Sequence, residues 1–79
     1  MALNRLIKTD ALDIKGQTYE VRYFETQTLR GTRRYRAELV LGLADRIIMD
    51  GSSLIDLESK MARVVPATIY SRLLAARAA

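Results

Sequence analysis

Two runs of alternating residues, Thr18 to Thr28 and Thr32 to Leu41, constrain this chain more than any other feature. In the first, Tyr19, Val21 and Tyr23 share one parity and Glu20, Arg22 and Phe24 the other. In the second, Tyr35, Ala37, Leu39 and Leu41 share one parity and Arg34, Arg36 and Glu38 the other. A period of two, rich in aromatic and β-branched residues, belongs to a half-buried strand. Opposed residues in an antiparallel pair point to the same face, so parity also fixes the connection. A two-residue loop of Arg30-Gly31 would set Tyr23 against Glu38 and mix the faces. A three-residue loop, Leu29-Arg30-Gly31, sets Thr28 against Thr32, Tyr23 against Ala37 and Val21 against Leu39, and it gives glycine the left-handed position. The sequence therefore predicts a hairpin with that loop. The same register places Arg22 opposite Glu38 and Phe24 opposite Arg36 on the outer face, positions suited to an ion pair and a cation–π contact.

Around this hairpin the other elements are shorter. Leu3, Leu6 and Ile7 have a helix-like spacing over too short a span, so residues 1–11 are expected to be a frayed arm or a single turn. Leu12-Asp13-Ile14 reads as a short strand that leads into a turn at Lys15-Gly16-Gln17. After a turn at Gly42 to Asp45, Arg46 to Met49 reads as a third strand closed by Asp50-Gly51. Ser52 and Ser53 then offer N-caps, with Asp56 three residues after Ser53, for a helix that begins near Leu54. Its apolar face is Leu54, Leu57, Met61 and Val64 or Val65. Pro66 removes a backbone donor and disfavours helical geometry at Val65, so a break is expected there, with one long kinked helix as the alternative. A second helical segment follows with Ile69, Tyr70, Leu73 and Leu74, a stripe able to complete the core or to meet another subunit, and residues 75–79 are expected to fray. The predicted fold is one small α+β domain over 1–79: a three-stranded antiparallel meander with a helix packed across Tyr19, Val21, Tyr23, Ala37, Leu39 and Leu41, and a second helical segment after Pro66.

The residue inventory narrows the function. The chain has no histidine, cysteine or tryptophan, so the commonest general base, the thiol nucleophile and the usual soft-metal ligands are missing. Asp45, Asp50, Asp56 and Glu58 fall at turns and at the helix start, where turn formation and capping account for them. The expectation is a protein that is not an enzyme and takes no cofactor or metal. No apolar run reaches the roughly 18 residues that span a bilayer, and the amino terminus lacks the apolar stretch of a signal peptide. Together with the absence of cysteine, this predicts a cytoplasmic location and no membrane partner.

Charge supplies the positive evidence. Of 13 cationic residues only Lys8, Lys15 and Lys60 are lysine, and arginine favours planar, bidentate or stacked contacts. Arg30, Arg33, Arg34 and Arg36 crowd the predicted hairpin tip, and no acid lies between Glu25 and Glu38. Arg22 and Phe24 share the ribbon, so this is where basic and aromatic residues interleave. These six residues are the candidate contacts for nucleic-acid phosphates or an acidic protein surface. A merely solvated basic surface is the plain alternative, since a net charge of +4 is ordinary for a small domain. Tyr19, Tyr23 and Tyr35 read as core aromatics.

In its order of strand, strand, strand and helix, with a short turn in front, the chain resembles a double-stranded-RNA-binding domain. Where that family carries a basic cluster, at the start of the last helix, this chain has the acidic run Ser52-Ser53-Leu54-Ile55-Asp56-Leu57-Glu58. The same order is similar to the partial fold of small antitoxins of the HicB type, which neutralise a toxin and often dimerise. Two functional expectations follow. One is a non-enzymatic module that binds nucleic-acid phosphates through the arginine hairpin. The other is a protein-interaction or regulatory subunit that uses the sheet edge or the stripe of Ile69, Tyr70, Leu73 and Leu74, for instance as a homodimer, with no affinity for nucleic acid.

Overall fold

In a computed structural model, residues 3–78 are described. Four strands, β1 (Leu3–Ile14), β2 (Gln17–Gln27), β3 (Arg33–Gly42) and β4 (Asp45–Gly51), precede one helix, α1 (Leu54–Ala78). The strands form a single antiparallel sheet in the order β1-β2-β3-β4. The architecture is therefore α+β with a C-terminal helix, as expected, but it has four strands and one helix in place of three strands and two helical segments.

The central hairpin follows the parity argument. Val21 lies opposite Leu39, Tyr23 opposite Ala37 and Phe24 opposite Arg36. The Thr28 amide donates to the Thr32 carbonyl at 3.0 Å and the Gly31 amide to the Thr28 carbonyl at 2.9 Å, which closes the three-residue loop. Gly31 takes φ +84°, a conformation that a Cβ would strain.

The first correction concerns residues 3–11, which are strand. Their alternation is hidden by a bulge: Leu6 pairs with Phe24, Lys8 with Tyr23, and Ile7 is the extra residue. Ile7 packs against the core. Pairing with Glu25, Tyr23 and Val21 then places Arg5, Lys8 and Asp10 on the helix-facing side, where an apolar pattern would be expected. Leu12 and Ile14 keep that pattern. The part of the fraying expectation that falls on residues 1, 2 and 79 lies outside the described residues.

The second correction is at Pro66, which stands inside α1 without ending it. Its ring deprives the Ala62 carbonyl of a partner, but Ala62 is exposed, so the orphaned group is not sealed in the core. Meanwhile Leu57, Met61, Val65 and Ile69 continue a four-residue spacing straight across the proline, and all four are buried. Burial on both sides of Pro66 holds the helix in one piece. Its start is as read: the Ser53 Oγ accepts from the Asp56 amide at 3.5 Å and the Ser53 carbonyl from the Leu57 amide at 3.0 Å.

The core joins Val21, Tyr23, Ala37, Leu39 and Ile47 of the sheet to those four helix residues. Tyr19, Tyr35 and Leu41 are partly buried against it. The helix packs chiefly on β3 and β4. The shortest extent of the molecule, 16 Å, is that of one sheet and one helix layer, so the opposite sheet face has no cover.

Candidate functional site

The β2–β3 hairpin carries the candidate residues, and the pleat divides them. Tyr35 pairs with Gly51, the last residue of β4, so the hairpin from Thr26 to Arg34 runs on past the end of that strand. Arg22, Phe24, Arg34 and Arg36 lie on the uncovered outer face, as their pairing with Glu38, Arg36, Thr26 and Phe24 requires. Arg33 has the parity of Tyr35 and falls on the helix side, while Arg30 sits exposed in the loop. The structure thus brings four of the six together on one face and places Arg30 and Arg33 at the tip.

Several of these charges are already engaged. Arg22 Nε donates to Glu20 Oε1 at 3.0 Å on the same strand. Arg36 Nε donates to Asp50 Oδ1 at 3.2 Å on β4. Glu25 serves two arginines, its Oε1 lying 3.8 Å from Arg33 Nε and its Oε2 3.5 Å from Arg5 Nη2. Arg30 and Arg34 make no ion pair among the described residues. Arg22 and Glu38 do face each other, but Glu38 takes Arg46, at 3.5 Å, in place of Arg22. Arg36 likewise turns to Asp50, and among the described residues the cation–π contacts are Lys8 over Tyr23, at 5.3 Å, and Lys15 over Tyr70, at 5.0 Å. Phe24 is half-buried between Leu6 and Arg36 in the outer-face row. Leu6, Val40 and Ile48 are about half exposed on the same surface.

The inner rim holds a charged group that the sequence did not advertise. Lys8 bonds Glu58 of the helix and lies 3.2 Å from Asp10. The Glu58 bond, outweighing partial burial and helped by Asp10, lifts Lys8 above its ordinary pKa. Burial pushes the Tyr23 phenol up as well, and Asp10 and Glu58 add to the shift while Lys8 opposes it. This cluster became readable only with β1, because Lys8 meets Tyr23 through the bulged register.

The second candidate surface is also divided. Ile69 is buried in the core, whereas Tyr70, Leu73 and Leu74 are 50%, 46% and 46% exposed. No cluster of three or more metal-ligating side chains occurs among the described residues, and no described helix is long and apolar enough to cross a membrane. No protein-family model matches the chain, and no curated protein or solved structure matches it.

Proposed function

We propose that this protein is a small non-enzymatic binding module that takes nucleic-acid phosphates on its β2–β3 hairpin. Arg30 and Arg34 are the leading contacts, with Arg22, Arg33, Arg36 and Phe24 beside them. The supporting observation is that Arg30 and Arg34 have no carboxylate partner among the described residues, whereas Arg22, Arg33 and Arg36 do. A guanidinium without a protein partner keeps all five donors for a phosphate. Contacts of this kind read backbone charge and carry little sequence preference. Phe24 offers part of a ring edge or face to an unpaired base.

Fluorescence anisotropy of labelled duplex RNA, duplex DNA and single-stranded RNA, titrated at low and physiological salt, tests this reading. Saturable binding that weakens with salt is expected. The Arg30→Glu, Arg34→Glu double variant should bind all targets more weakly, with the slope of log affinity against log salt reduced by about two. Absence of binding at low salt would overturn the proposal.

A second reading, a protein-interaction module, is favoured by the exposure of Tyr70, Leu73 and Leu74 on consecutive turns of α1. It expects a defined complex, lost on Leu73→Lys, and no affinity for nucleic acid.

A further inference from the structure

We infer that the open edge of β4 pairs antiparallel with the β4 edge of a second copy of this chain, across a two-fold axis at Ile48. This does not depend on the arginine-hairpin reading and uses neither that hairpin nor Tyr70 and Leu73.

Strand β4 has β3 on one side only, so its other edge presents unpaired backbone groups. Its sequence is self-complementary about its centre. Antiparallel pairing about Ile48 sets Ile48 against itself, Ile47 against Met49, and Arg46 against Asp50 of the second copy. Each opposed pair lies on one face: Arg46, Ile48 and Asp50 lie outward, opposite Val40, Glu38 and Arg36, and Ile47 and Met49 lie inward, opposite Leu39 and Ala37. An interface of this type contains every contact twice, so the arginine–aspartate match occurs at both ends. At its middle Ile48, 48% exposed in the single chain, covers its own counterpart.

The helix fits the same axis. Glu58 reaches Lys8 on β1, which turns that flank of α1 toward β1. The opposite flank carries Lys60, Val64, Ala67 and Ser71, at steps of four, three and four residues. That is the spacing of a helix–helix seam, and its central side chains are small. Because the helix rests on β3 and β4 and strands are about 4.8 Å apart, its axis lies about 5 Å from the two-fold. The two helices would then run about 10 Å apart, within the range at which helices pack. The paired sheets and the paired helices therefore meet at one interface.

Light-scattering mass measurement of the intact protein over a dilution series tests the inference. The expected mass is twice that of the 8.9 kDa chain. Ile48→Lys places two ammonium groups at the axis while giving a single chain a partner in Glu38, so it should yield a folded monomer with a cooperative thermal melt. As a second readout, Ile48→Cys in this cysteine-free chain should form a covalent dimer on mild oxidation, and Leu43→Cys, in the exposed β3–β4 turn, should not. A single-chain mass at every concentration would overturn the inference. So would a dimer that survives Ile48→Lys and dissolves with Leu73→Lys.

Discussion

The two faces of the sheet are built from the same strands, residue by residue in alternation, and they are held by different forces. On the inner face Val21, Ala37 and Leu39 are shut away from water against Leu57, Met61 and Val65. Outward, Arg22, Arg36 and Arg46 are each held by one carboxylate, from exposed Glu20 and Asp50 and half-buried Glu38, around half-exposed Leu6, Val40 and Ile48. Burial of that inner apolar set supplies the dominant favourable term in folding. Exposed ion pairs contribute little, because the charges are nearly as well solvated apart as together. The inner face thus decides whether the chain folds, and the outer face is free to vary with what it meets.

Neighbouring residues on β3 offer the sharpest way to break that contrast. Leu39→Ala should cost about 2–5 kcal/mol in chemical denaturation, since it leaves a cavity under the helix. Val40→Ala, one residue on and 53% exposed, should stay within about 0.5 kcal/mol; equal losses would mean that the outer face is covered in solution. A smaller effect is expected at the inner rim on raising the pH. Lys8 and Tyr23 both hold their protons more tightly in the folded chain than in the unfolded one. The stability linked to them is complete below the unfolded values, about 10 for each, and is lost as pH climbs through the raised folded values. The melting temperature should therefore fall above about pH 10, and less so in a Lys8→Met, Tyr23→Phe variant. The smallest effect belongs to the outer face. A double-mutant cycle on Glu20 and Arg22 should give a coupling below about 1 kcal/mol, weakening with salt.

How much of this was legible in the sequence follows the same division. The β2–β3 register could be read because seven inward positions, from Tyr19 to Leu41, shared one parity, and because Gly31 allowed one loop length and not the other. β1 could not be read. Its inward positions include Arg5, Lys8 and Asp10, with Arg5 paired to Glu25 of β2 and Lys8 to Glu58 of α1, and the extra residue at Ile7 shifts the period halfway along. Local pattern carries no trace of such pairings. At Pro66 the local rule and the tertiary one oppose each other, and burial of Met61, Val65 and Ile69 across the proline outweighs the missing amide. Of the hairpin arginines, position was predictable and engagement was not. Glu25, Asp50 and Glu20 find Arg33, Arg36 and Arg22 through strand pairing and side-chain reach that composition does not encode.

The bulge at Ile7 also bears on how far the sheet can be extended. A sheet with two regular open margins has no intrinsic reason to stop adding neighbours, and such chains are prone to fibres. Here one margin is bent by an inserted residue and lined on its inner side by Arg5, Lys8 and Asp10, charges that a strand stacked alongside would have to strip of water. Growth is thereby confined to the β4 side, and joining there is self-limiting, because two copies meeting through one margin leave only blunted ends outside.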